Sequence, residues 1–150
     1  MEIILNKYLS LNRVLFSNSY TKSEVINEMA RVSNEDRKIP DVEIFKKALF
    51  KRESLMSTGI GYGVAIPHVK LELIKEFFIT FFIHKKGVDW GSLDNKPVHI
   101  IFLIAGPETK QEQYLRILAK ITMVIKDPAR RKKLIDCNTK YEIYEILSDF

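Results

Sequence analysis

The stretch from Ser57 to Lys70 places glycines at 59, 61 and 63, then Pro67, then His68. Glycine lets the backbone take positive φ angles or approach a ligand closely. Peptide N–H groups in such a turn can converge on one point, and these concavities favour anions, phosphate above all. Pro67 fixes its own φ and pushes Ile66 towards an extended conformation, so His68 follows a stiffened backbone. A neutral imidazole nitrogen is nucleophilic near pH 7, where histidine, with a reference pKa of about 6.5, is mostly unprotonated. The stretch reads as a shaped active loop presenting one histidine. No Gly-Lys-Ser/Thr follows the glycines, and the third falls at the wrong spacing for a dinucleotide fingerprint, so no nucleotide site is implied. Spacing alone favours an ordinary turn carrying a surface histidine with no task.

Ser57-Thr58-Gly59-Ile60-Gly61, then Gly63, then Ala65-Ile66-Pro67-His68 closely resembles the phosphohistidine loop of enzyme IIA components of the bacterial phosphoenolpyruvate-dependent phosphotransferase system. The similar branch is the fructose, mannitol and nitrogen-regulatory type. The resemblance extends to Arg52-Glu53, to Asp89-Trp90-Gly91 with Leu93, and to Leu115 through Ala119, and runs from about Val14 to the end of the chain. It implies that His68 accepts a phosphoryl group on Nε2 from the phosphohistidine of HPr, forming a covalent intermediate. That group would pass to a sugar-specific enzyme IIB for uptake; in nitrogen-type relatives its presence instead controls binding to a regulated target protein.

The same resemblance implies that Arg52 pairs its guanidinium with phosphoryl oxygens, and that the backbone around Gly59, Gly61 and Gly63 supplies further donors. It also implies that Glu72 orients the His68 ring through its other nitrogen and that no cofactor or metal is needed. One position departs from the pattern: many members carry a second histidine in the helix that here runs from Thr109, and this chain has Tyr114. Tyrosine can donate a hydroxyl to a phosphoryl oxygen but cannot carry positive charge. Its other expected role is an aromatic lid above the loop.

Several elements must position these residues. Thr21 with Glu24, Thr109 with Glu112 and Thr139 with Glu142 have capping-box spacing, which predicts three helix starts. A fourth helix is expected from Asp41, burying Val42, Phe45, Ala48 and Leu49. Phe77 to Ile83 is apolar except for Thr80, and Val98 to Ala105 is apolar except for His99. They read as central strands buried on both faces. The layout is α/β or α+β, a mixed sheet covered by helices, and the resemblance implies the enzyme IIA fructose/mannitol-type fold. The turn from Asp89 to Asn95 holds the only tryptophan, Trp90, expected to be a packing anchor.

The chain of 150 residues suits a single domain, residues 1–150, with a substantial core. Glu2 and the brief Ile3-Ile4-Leu5 run resemble neither a signal peptide nor a membrane anchor, so a cytoplasmic protein without membrane insertion is expected. A lone Cys137 excludes an intramolecular disulfide and a Cys-rich zinc site and reads as a small packing residue. The net charge of +5 permits an acidic partner without selecting one. Arg130-Arg131-Lys132-Lys133 is dense but consecutive, so on a helix it splays around the axis and reads as a solvated helix start. With no nucleic-acid motif beside it, nucleic-acid binding is not expected. His84, beside Lys85 and Lys86, is expected to be exposed; His99 is expected to hydrogen-bond within the sheet.

Overall fold

The two long apolar runs form the centre of a six-stranded mixed sheet in a computed structural model that describes residues 3–150; Glu2 lies outside the described residues. The strands are β1 (Val14–Phe16), β2 (Gly59–Gly61), β3 (Val64–Ala65), β4 (His68–Lys70), β5 (Phe78–Val88) and β6 (Val98–Gly106). The helices are α1 (Lys22–Glu35), α2 (Val42–Leu55), α3 (Gln111–Ile125), α4 (Pro128–Asp136) and α5 (Lys140–Leu147). The strand order is β1-β5-β6-β3-β2, with β4 also paired to β6. β5 and β6 are antiparallel, with Phe81 opposite Phe102, and β1 runs parallel to β5. β3 and β4 lie one after the other along the free edge of β6, both parallel to it, with Val64 opposite Ile100 and His68 opposite Ile104.

Period-two alternation divides the core between two faces. Ile79, Phe81 and Ile83 of β5 pack with Ile100, Phe102 and Ile104 of β6 under Tyr114, Ile117 and Ile121 of α3, Leu134 of α4, and Ile143 and Leu147 of α5. Phe78 and Phe82 pack with Ile101 and Leu103 against Val25, Ile26 and Met29 of α1 and Phe45 and Leu49 of α2. The centre is thus buried on both faces, as the apolar runs predict. Thr80, the polar exception in β5, meets Ser33 of α1 at 2.8 Å, and Ser33 Oγ also lies 2.8 Å from the Met29 carbonyl.

The helix starts follow their caps in three of four cases. Thr21 accepts from Glu24 N–H, Thr139 from Glu142 N–H, and Asp41 from the N–H groups of Glu43 and Ile44. The Thr109–Glu112 box does not form: α3 is preceded by Lys110, which provides no side-chain cap. Thr109 stands two residues before the first helical turn, too far out to reach its N–H groups. Within α2, Phe45 and Leu49 are fully buried whereas Val42 and Ala48 are only partly so.

The basic cluster also differs from expectation. Arg130 Nη1 donates to the Met123 and Val124 carbonyls, and Arg131 Nη1 to the Ile125 carbonyl at 2.5 Å. These bonds satisfy the last carbonyls of α3 and place positive charge at its negative end. Lys132 and Lys133 remain exposed.

Gly106 closes β6 against the Phe77 ring, which occupies the space a Cβ would need. Gly106→Ala should therefore displace Phe77 and lower stability by about 1–3 kcal/mol, the usual range for overpacking. A urea midpoint equal to that of the parent protein would show that the ring moves aside freely.

Candidate active site

His68 opens β4, held to the edge of β6, and is partly exposed. Its approach is fixed by the backbone: Ile66 N–H donates to the Thr58 carbonyl at 3.0 Å, and Ile104 N–H donates to the Pro67 carbonyl at 3.0 Å. The His68 Nδ1 atom lies 3.1 Å from the Ile66 carbonyl oxygen. A carbonyl only accepts, so this contact places the ring proton on Nδ1. Nε2 is then the basic nitrogen, and it accepts from Arg52 Nε–H at 3.1 Å. Burial holds the pKa of His68 below its ordinary value; the Ile66 bond and Glu53 work upward, while the charges of Arg52 and Lys70 add to the lowering. The site thus presents a neutral imidazole with Nε2 directed at a guanidinium.

Arg52 lies in the last turn of α2, and its Nη1 donates to the Met56 carbonyl at 2.8 Å, which anchors the guanidinium so that Nε faces the histidine. The next residue, Glu53, is buried. Its carboxylate accepts from Lys22 Nζ at 2.7 Å, from Thr58 N–H at 3.2 Å and from the Thr58 hydroxyl. Trp90 Nε1–H donates to Thr58 Oγ1 at 3.1 Å, and the Trp90 carbonyl accepts from Ser57 Oγ and Lys22 Nζ. Trp90 is 1% exposed and is a packing anchor as expected, with this polar network added. The network joins α1, α2 and the Trp90 turn to Thr58, whose carbonyl in turn holds Ile66.

Tyr114 of α3 covers the other side. Its ring centroid lies 5.6 Å from that of His68, tilted 45°, and 6.4 Å from that of Phe77. It is buried, which raises its pKa, so the hydroxyl stays protonated at neutral pH. Lys70 is the next residue on the His68 face of β4. Its Nζ donates to Gln111 Oε1 at 2.5 Å and stands 4.4 Å from the Tyr114 ring centroid. Sequence reasoning assigned no role to Lys70 or Glu53. The signal for Lys70 was available in strand alternation from His68; a lone buried glutamate leaves no such pattern.

The glycines serve the sheet. Gly59 lies against Ser92, leaving no room for a Cβ, and Gly61 (φ +97°) and Gly63 (φ +75°) flank Tyr62 (φ +59°) in the turn between β2 and β3. Gly59 N–H donates to Ser57 Oγ at 3.1 Å and Tyr62 N–H to Asp94 Oδ2 at 3.1 Å. Glu72 is exposed on the turn after β4, and the group that meets His68 Nδ1 in this structure is the Ile66 carbonyl. His84 is buried rather than exposed, because its Nε2 lies 2.6 Å from the Ser19 carbonyl. His99 Nδ1 meets the His84 carbonyl at 2.9 Å, the sheet contact anticipated for it. Cys137 is buried, and burial pushes its thiol pKa up, away from reactivity. Among the described residues no group of three or more His, Cys, Asp and Glu side chains is placed to hold a metal ion, and no helix is long and apolar enough to cross a membrane.

Residues 7–150 match the family model described as "Phosphoenolpyruvate-dependent sugar phosphotransferase system, EIIA 2". The chain is 36% identical over 130 residues to the PTS system fructose-specific EIIABC component of Bacillus subtilis, covering 87% of this chain and 20% of that protein. It is 33% identical over 128 residues to the nitrogen regulatory protein of Bradyrhizobium diazoefficiens, covering 85% of this chain and 83% of that one. The crystal structure of nitrogen regulatory protein IIA-Ntr from Neisseria meningitidis superposes with a TM-score of 0.90 at 27% identity, over 97% of this chain and 99% of that chain.

The environment of His68 predicts a titration midpoint below the reference value of about 6.5. Between that midpoint and 6.5 the ring stays neutral where a free histidine would be charged. Removing a nearby cation in Arg52→Met should move the midpoint upward but leave it below 6.5, because burial is the larger cause. A pH series of imidazole nitrogen NMR shifts reads both the midpoint and the Nδ1–H tautomer; a midpoint above 6.5 in the parent protein would contradict this account.

Proposed function

The chain belongs to the EIIA 2 family of the phosphoenolpyruvate-dependent sugar phosphotransferase system, and from that membership we propose that His68 Nε2 is the atom that carries the phosphoryl group in its relay. Members of this family are phosphotransferase components, so the open question is which atom works and for which recipient. The observation that carries the proposal is the bond pair on His68: Nδ1–H on the Ile66 carbonyl and Nε2 against Arg52 Nε–H.

The donor is the phosphohistidine of HPr. Its N–P bond breaks while the His68 Nε2–P bond forms; the HPr ring nitrogen keeps the electrons of the broken bond. The proton stays on Nδ1, hydrogen-bonded to the Ile66 carbonyl, so His68 takes up or releases no proton and the phosphorylated ring carries a positive charge. A depressed pKa favours this step because a proton on Nε2 would block attack. Transfer runs through a loose transition state with charge on the phosphoryl oxygens, so catalysis is positioning and electrostatics. Arg52 yields its bond to Nε2 as phosphorus arrives and turns its fork to the oxygens.

The recipient favoured is a sugar-specific enzyme IIB serving sugar uptake, supported by the fructose-specific EIIABC relative, whose name joins A, B and C components. A regulatory output is the second reading, supported by the nitrogen regulatory relative and the IIA-Ntr structure. There, about two added negative charges at His68 would switch the choice of partner protein. Both readings describe a cytoplasmic protein.

Incubation with enzyme I, HPr and phosphoenolpyruvate should add one phosphate to the intact mass, and acid should remove it. His68→Ala should abolish the gain, and Arg52→Ala should slow it by about tenfold or more, in the range for loss of one charge-stabilising donor. Label on His68→Ala would remove His68 from its role. Chasing the loaded protein with a fructose-type IIB separates the outputs: rapid loss of label supports sugar transfer, and retention supports regulation.

A further inference from the structure

Resting on His68 as the phosphoryl acceptor, we propose that Lys70 is a second catalytic cation, which leaves its resting place on Tyr114 and Gln111 to bind phosphoryl oxygens on His68. In β4 the side chains of His68 and Lys70 share one face and are partly exposed, while Val69 between them is buried. Both meet the same aromatic ring. The His68 centroid is 5.6 Å from that of Tyr114, and Lys70 Nζ is 4.4 Å from it.

Lys70 is held lightly. Its partners are neutral: the Gln111 amide oxygen and the Tyr114 ring. Among the described residues it has no carboxylate within ion-pair distance. An ammonium has three N–H donors, and Gln111 takes one, so two remain for an anion. The long flexible stem lets the charge move without moving the strand.

Such a group would act on the oxygens in transit. A phosphoryl group brings about two negative charges to a His68 that is neutral before attack. Because Nδ1 keeps its proton, the ring becomes positive only as the Nε2–P bond forms. In the loose transition state Arg52 is the full cation already at Nε2. Tyr114 can offer a hydroxyl but no charge. During transfer the donor N–P bond breaks, the Nε2–P bond forms, and Lys70 keeps all its protons throughout, acting only on the oxygens. Cations aimed at developing charge in a partly dehydrated site act mainly on the rate of the chemical step.

Quench-flow transfer from radiolabelled phospho-HPr tests this with the parent protein, Lys70→Gln and Lys70→Arg. The expected result is a rate at saturating phospho-HPr lowered about tenfold or more in Lys70→Gln, half-saturation nearly unchanged, and most of the rate recovered in Lys70→Arg. A parent-like saturating rate in Lys70→Gln overturns the proposal. So does a defect confined to half-saturation, which would make Lys70 a docking residue. Equal slowing of Lys70→Gln and Lys70→Arg also overturns it, by showing that the positive charge is not what matters. These outcomes all leave His68 labelled in the parent protein; absence of that label would instead defeat the acceptor reading itself.

Discussion

The hydrogen bond from His68 Nδ1–H to the Ile66 carbonyl is the constraint on which the site depends. It spans only two residues of chain, so it survives only if the backbone at Ile66-Pro67 keeps one shape. Proline removes one freedom there, and the remaining freedom is removed by hydrogen bonds on both sides, from Ile66 N–H to Thr58 and from Ile104 N–H to Pro67. With the proton assigned to Nδ1, the lone pair on Nε2 is directed outward to Arg52. Choice of nucleophilic atom is therefore a property of local backbone geometry and needs no carboxylate partner.

That geometry is borrowed from β6. The short strands β3 and β4 both pair with it in parallel, so the chain between them must cover a fixed distance along one rigid neighbour. β6 is itself paired with β5 and enclosed by helices on both faces. A slip of one residue would exchange the two faces of a strand, turning His68 inward and Val69 outward. The cost of exposing the apolar core thus locks the reactive side chain to its side of the sheet.

Burial shifts the pKa values of the two rings at the site in opposite directions and so keeps both neutral. For His68 it favours the neutral form and so keeps the lone pair available; for Tyr114 it favours the neutral form and so keeps a hydroxyl that cannot repel an anion. The buried Glu53 does not supply a free negative charge close by, because Lys22 Nζ meets it at 2.7 Å and Thr58 donates twice. A carboxylate stripped of those partners would be costly to bury. The field at His68 is consequently dominated by Arg52 and Lys70, a setting suited to an incoming anion.

Motif residues were legible in the sequence because each acts near its own position in the chain: Pro67 stiffens the approach to His68, and the caps of α1, α2 and α5 lie within a turn of the N–H groups they bind. The central strands were legible because burial on both faces leaves apolar runs interrupted only by Thr80 and His99. Contacts across the fold were not. Glu53 gains its meaning from Lys22, 31 positions away, and from Thr58, which Trp90 also bonds, and Glu72 was expected to orient a ring whose Nδ1 meets the Ile66 carbonyl. His84 looked exposed beside two lysines, yet its ring finds the Ser19 carbonyl across the sheet edge. The glycines show the subtler case, since their spacing suggested a phosphate loop but did not reveal that Gly59 is required by the close approach of Ser92 and Gly61 and Gly63 by the positive φ of a tight turn. Glycine marks where a backbone must come close or turn, and only tertiary structure says to what.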